Sequence, residues 1–99
     1  MNILNVLQEL NRPVAYGKFH KEQELPYFCI MGSGQFNFPA DNTYIYSDNN
    51  YQIEYYFDKK DEEFESEIEQ LLLENGYQYE KSEDLYLDEE NVFLIYYDI

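Results

Sequence analysis

Tyr51-Gln52-Ile53-Glu54-Tyr55-Tyr56-Phe57-Asp58-Lys59-Lys60-Asp61-Glu62-Glu63-Phe64-Glu65-Ser66-Glu67-Ile68-Glu69-Gln70-Leu71-Leu72-Leu73-Glu74-Asn75-Gly76 decides the fold class. Its first seven residues place Tyr51, Ile53, Tyr55 and Phe57 at every second position, the period of a half-buried strand. From Asp61 onward the period changes. Phe64, Ile68, Leu71 and Leu72 make one apolar stripe of a helix over Asp61 to Glu74, with Glu62, Glu63, Glu65, Glu67 and Glu69 expected to face water. Asp61, Glu62 and Glu63 complement the positive end of the helix dipole, and either Asp58 or Lys60 is expected near the cap. Asn75-Gly76 supplies the C-terminal stop. A strand feeding a helix within one short chain points to a sheet that buries one face against helices.

Upstream, Ile3, Val6, Leu7 and Leu10 lie at i, i+3, i+4 and i+7, which predicts a short amphipathic helix ended by Pro13. Val14 to Phe19 reads as a strand, His20 to Glu24 as a polar connection, and Tyr27 to Met31 as a second strand broken by Gly32-Ser33-Gly34. Gln35 to Asn42 lacks periodicity and, with Pro39, reads as an ordered loop. Thr43 to Ser47 is expected to form a hairpin with Tyr51 to Phe57 across the Asp48-Asn49-Asn50 turn. After the acidic helix, Tyr77 and Tyr79 begin a strand and Leu85 to Leu87 forms another. Asp88 to Asn91 then turns into Val92 to Ile99, with Phe93, Ile95, Tyr97 and Ile99 on one face. The approximate order is αββββαββ, a single α+β domain over residues 1–99 with two helices on one face of a largely antiparallel sheet. Tyr44, Tyr46, Tyr56 and Tyr96 fall out of phase with the core positions. They either pack on one another across strands or form part of an interface, where tyrosine is favoured.

Composition narrows the function classes. A chain of 99 residues buries about 60–65% of its unfolded surface, and twelve Tyr and seven Phe supply large areas per residue, which argues against disorder. The formal charge is -15, of which residues 1–53 carry -2 and residues 54–99 carry -13. Such a field repels nucleic acid and anionic lipid and speeds encounter with basic protein surfaces, so direct nucleic-acid binding is not expected. Cys29 has no second cysteine to bridge to, the N-terminus lacks the basic region of a signal peptide, and no apolar run is long enough to span a bilayer. A cytosolic protein without membrane contact is the expectation.

No residue pattern carries catalytic chemistry. Asp61-Glu62-Glu63 and Asp88-Glu89-Glu90 are consecutive, so their carboxylates fan out around a helix or point outward from a turn, without the convergence that a cation or an acid/base pair requires. Asp48-Asn49-Asn50 lacks the calcium-loop frame, and Gly32-Ser33-Gly34 lacks the rest of a phosphate loop. Nothing in the spacing brings His20 to Cys29 as a base and nucleophile. The sequence therefore predicts no enzyme, cofactor or metal site.

One order of residues is more specific. Asn37-Phe38-Pro39-Ala40-Asp41-Asn42, then Tyr44, then Tyr51-Gln52-Ile53-Glu54-Tyr55-Tyr56, Lys59-Lys60-Asp61 and the Glu-rich run from Glu65 to Glu69 resembles a family of small phage and prophage proteins from the head-tail module of Gram-positive bacteria. Asn75-Gly76, Tyr79-Glu80-Lys81 and the ending Tyr96-Tyr97-Asp98-Ile99 extend the resemblance, which covers residues 25–99. It implies a tail completion, tail terminator-like or head-tail joining protein with an α+β fold. Such a protein assembles as a ring on the tail tube and contacts the phage connector and tail-tube proteins, in the host cytoplasm during assembly and in the virion afterwards. Interface residues expected on this basis are Asn37, Phe38, Ala40, Asp41, Asn42, Tyr44, Tyr46 and Tyr56. The competing class is an acidic DNA mimic whose carboxylates occupy the basic groove of a host defence protein. A bacterial housekeeping adaptor of similar fold is a third.

Overall fold

The structure is a computed structural model in which residues 2–34 and 50–99 are described. Among them the order is α1 (Asn2–Gln8), β1 (Val14–Tyr16), β2 (Tyr27–Gly34), β3 (Asn50–Phe57), α2 (Glu62–Glu74), β4 (Glu80–Lys81), β5 (Leu85–Leu87) and β6 (Val92–Asp98). The strands form one six-stranded sheet, β1-β2-β3-β6-β4, with β5 also paired to β6. All pairings are antiparallel except β1 with β2. This is the expected α+β class.

Both helices cover one face. Ile3, Val6 and Leu7 of α1 and Ile68 and Leu72 of α2 join Phe28, Ile30, Ile53, Tyr55, Phe57, Ile95 and Tyr97 of the three central strands in a single core. Phe93 and Ile99 pack against that core, so Phe93, Ile95 and Tyr97 of β6 and Ile99 just beyond it share the helix-facing side. Stacked rings fill the layer: Tyr55 lies 4.9 Å from Phe57 and 5.4 Å from Phe28, and Phe57 lies 5.4 Å from Phe93. Area per residue is how a short chain builds a core, and aromatic rings supply it.

Local signals in α2 act as expected at both ends. Asp61 is the N-cap, with Lys60 beside it, and its Oδ1 accepts from the Phe64 amide at 3.0 Å. At the other end the amides of Gly76 and Tyr77 donate to Leu73 and Leu72 carbonyls, and Gly76 takes φ 84°, the left-handed turn that glycine allows without a Cβ clash.

Four boundaries differ from expectation. Helix α1 stops at Gln8, before Pro13, because Asn11 adopts φ 60° and turns the chain. Strand β1 ends at Tyr16, not Phe19, since Gly17, whose amide makes a last bond to the Ile30 carbonyl at 2.8 Å, takes φ 86° and turns Lys18 and Phe19 across the sheet. Gly32 continues β2 instead of breaking it: its amide donates to the Tyr16 hydroxyl at 3.1 Å, and that oxygen stands where a Cβ would crowd it. The register shift falls between Gly32 and Gly34. The strand expected to start at Tyr77 begins at Glu80. Thr43 to Ser47 lie outside the described residues; β3 is bordered by β2 and β6. Among the described residues no helix is long and apolar enough to cross a membrane.

Candidate functional site

Of the interface residues expected from sequence, Asn37, Phe38, Ala40, Asp41, Asn42, Tyr44 and Tyr46 lie outside the described residues. Tyr56 is described, and it lines a cleft on the sheet face away from the helices. Because strand side chains alternate, Tyr27 and Cys29 of β2 and Glu54 and Tyr56 of β3 point away from the helices. In register, Tyr27 is opposite Tyr56 and Cys29 opposite Glu54, with Tyr96 on the far side of Glu54. The segment after Gly17 folds over this face and the turn before Val92 borders it, enclosing a cleft of about 650 Å³.

The walls are aromatic. Tyr27 stacks on Tyr56 with centroids 4.9 Å apart, and Phe19 meets Tyr27 edge-on at 5.5 Å. Tyr56 thus packs across strands and lines the cleft at once, so the two readings of the out-of-phase tyrosines are compatible. The floor is polar. Glu54, half-buried at the centre of the sheet, accepts a hydrogen bond from the Tyr56 hydroxyl at 2.7 Å. Burial, reinforced by that bond, keeps the Tyr56 phenol protonated far above its ordinary range. Burial also raises Tyr27, helped by the neighbouring Cys29 and by the carboxylates of Glu90 and Glu54. Cys29 is pushed up to about 11 by burial and then by Glu54, so it is held as a thiol, the form that is neither nucleophile nor metal ligand. His20 also borders this cleft, on its exposed rim, while Cys29 is buried.

How the 17–25 segment is fastened could not be read from the sequence. Arg12 donates from Nε to the Pro26 carbonyl at 2.9 Å and from its terminal nitrogen to the Leu25 carbonyl at 2.8 Å. One guanidinium therefore clamps the chain just before β2.

A second polar cluster lies under α2 and corrects the expectation that Glu65 and Glu69 face water. Glu65 is 2% exposed, and Glu69 is half-buried. Lys81 Nζ reaches Glu65 Oε1 and Glu69 Oε2, both at 2.8 Å, and Lys60 Nζ donates to Glu65 Oε1 at 3.0 Å. Glu65 Oε2 lies 2.8 Å from Lys60 Nζ as a charge contact, without the alignment of a hydrogen bond. Lys60 also meets Asp84 at 3.0 Å, and the Tyr97 hydroxyl donates to Glu69 at 2.8 Å. A signal for this exists in the sequence: Glu65, Ile68 and Leu72 are spaced i, i+3 and i+7, so Glu65 lies on the apolar stripe itself. The network ties helix to sheet; every carboxylate in it has a lysine or tyrosine partner, which is the pattern of a structural link.

That network makes a pH prediction. Partial burial acts to raise the Glu69 carboxyl, but hydrogen bonds from Lys81 and Tyr97 outweigh it and the group lies below its ordinary value. A lowered folded value contributes stability that is present above the unfolded value of about 4.3 and lost as pH falls through the folded one. Glu69→Gln is expected to cost about 1–2 kcal/mol at neutral pH, with the two stability curves converging as pH falls. Lys81 is raised because Glu65 and Glu69 outweigh its own desolvation, so its contribution is lost only as pH rises beyond about 10. Urea melts of both proteins between about pH 3 and 8 check this; parallel curves would assign Glu69 no role in acid unfolding.

Among the described residues no group of three or more His, Cys, Asp or Glu side chains is gathered to hold a metal ion. Comparison of the chain with protein-family models, with curated proteins and with solved structures gives no match in any of the three.

Proposed function

We propose that this domain acts by binding protein partners, without catalysis of its own, as a tail completion or head-tail joining protein of a phage or prophage that self-associates into a ring and contacts connector and tail-tube proteins. The observation that supports binding most is the sheet face opposite the helices, an aromatic cleft with a half-buried carboxylate in its floor and a thiol and phenols held protonated. Such a surface offers shape, stacking and charge, and lacks an activated nucleophile. The head-tail assignment rests on the order of residues from Asn37 to Ile99 and on the α+β architecture that order implies. The surface of α2 suits contact with a basic neighbour, since Glu62, Glu63, Glu67 and Glu74 are all exposed.

Ring formation has a distinctive salt dependence. Each subunit carries -15, and repulsion between neighbours is screened beyond about 10 Å at 0.1 M salt. Self-association, alone or on isolated tail tubes, is therefore expected to strengthen as salt rises, as read by sedimentation across a salt series. A DNA mimic behaves in the opposite way, its grip on a basic groove weakening with salt. A lysate depleted of this protein should accumulate separate filled heads and tails. Normal virions together with restored host defence would overturn the joining role in favour of mimicry.

A further inference from the structure

Building on the reading of the domain as a protein binder, we propose that the cleft between the 17–25 segment and the turn before Val92 seats an arginine side chain from a basic segment of a partner protein. The shape of the site suits a flat cation. Tyr27 and Tyr56, stacked on each other with Phe19 edge-on to Tyr27, line the cleft and stay partly exposed to it, and a guanidinium plane pairs with aromatic rings through both stacking and cation–π attraction. Glu54 supplies the counter-charge. Its carboxylate has about four acceptor positions and the Tyr56 hydroxyl uses one, at Oε1. That same bond holds the carboxylate in place, so a two-pronged donor meets an oriented acceptor and less freedom is lost on binding.

The charges around the cleft are arranged to match. Its lining carries Glu22, Glu54, Asp58 and Glu90 against Lys18 and Lys21. Both lysines belong to the exposed connection, whereas the half-buried charge at the floor is the Glu54 carboxylate. The field of Glu90, Glu54 and Glu22 converges on Tyr27, the residue a bound cation would touch. An anion entering the cleft would meet that field and be repelled. A volume of about 650 Å³ exceeds one side chain, leaving room for the neighbouring backbone of a peptide segment. The overall charge of -15 steers such a segment towards the molecule before contact is made. The cleft lies at the Tyr27 and Tyr56 end of the β2–β3 pair, opposite the end where Gly34 meets Asn50.

The test is an NMR titration of the isotope-labelled protein with three blocked tripeptides, glycine-X-glycine with arginine, lysine or the neutral isostere citrulline at X. The arginine peptide is expected to shift the amides of Tyr27, Cys29, Glu54 and Tyr56 saturably, the lysine peptide more weakly, and the citrulline peptide not at all. Glu54→Gln should weaken arginine binding by roughly tenfold, the worth of one hydrogen bond to a charged group. Glu9→Gln with Glu83→Gln, both exposed and away from the cleft, should leave it unchanged. Equal shifts from arginine and citrulline, or shifts spread over α2, would overturn the proposal. If Glu54→Gln disturbs the fold, Tyr56→Phe, which removes the hydroxyl that orients the carboxylate, carries the same expectation of weaker binding. Peptide binding and ring formation are separate readouts. Self-association that strengthens with salt while the arginine peptide fails would sink the cleft assignment alone; arginine binding without self-association or tail contact would sink the head-tail role and leave the cleft assignment standing.

Discussion

Phe28→Ala is expected to lower the free energy of unfolding by about 3–5 kcal/mol, among the largest effects of any single truncation in this chain. Phe28 is fully buried on the central part of the sheet, pairs in register with Val14 and Tyr55, stacks on Tyr55 at 5.4 Å and lies 6.3 Å from Phe64 of α2. Its ring therefore joins β1, β3 and the acidic helix. Removing it leaves a void walled by other rigid rings, which close on a gap poorly, so the cavity adds to the lost transfer energy. Small domains hold only about 5–15 kcal/mol in total, so the variant should be close to unfolding at ordinary temperature. A urea melt with unchanged slope and a strongly lowered midpoint is the expected result. A cost under about 1 kcal/mol would mean that the sheet and helices do not share one packed core.

Ile68→Ala is expected to cost about 2–5 kcal/mol. Ile68 is fully buried beside Leu72, and it sits between Glu65 and Glu69, the two carboxylates that Lys81 bridges. Shortening it opens a gap under the helix and loosens the charge network next to it, so its effect should not add simply to that of Glu69→Gln. Leu73→Ala on the same helix is the control. Leu73 is 53% exposed, and its replacement should change stability by no more than about half a kcal/mol. A cost for Ile68→Ala as small as that of Leu73→Ala would place the stripe against solvent or a partner instead of the sheet.

Along α2, periodicity separates solvated carboxylates from buried ones only in part. Sixteen of the twenty-one acidic residues follow Ile53, and reading them all as solvated is sound for Glu62, Glu63 and Glu67. It fails for Glu65 because a carboxylate on an apolar stripe can be buried only where cations reach it, and residue type alone does not reveal them. Those partners, Lys60 and Lys81, are separated from it by 5 and 16 positions, and Tyr97 is 28 positions from Glu69. The cost of desolvating Glu65 is met by two ammonium groups that remain partly in water, at 42% and 32% exposure, so the arrangement avoids burying a complete ion pair.

The sequence by itself determined the features that arise from neighbours along the chain. These are the α+β class, the extent of α2 with its Asn75-Gly76 stop, the turn from Asp88 to Asn91, and the alternation that sends Ile95 and Tyr97 inward. Each depends on backbone geometry and residue spacing within a few positions, where propensity and periodicity act. Tertiary structure decided the rest. It set β1 parallel to β2, let Gly32 continue a strand against the Tyr16 hydroxyl, and fixed Arg12 on the Leu25 and Pro26 carbonyls. It also brought Phe19, Tyr27, Glu54, Tyr56 and Glu90 around one cleft. The physical reason is that strand pairing and loop closure join groups tens of residues apart, and only the energy of the whole packed arrangement selects among the partners that local pattern leaves equivalent.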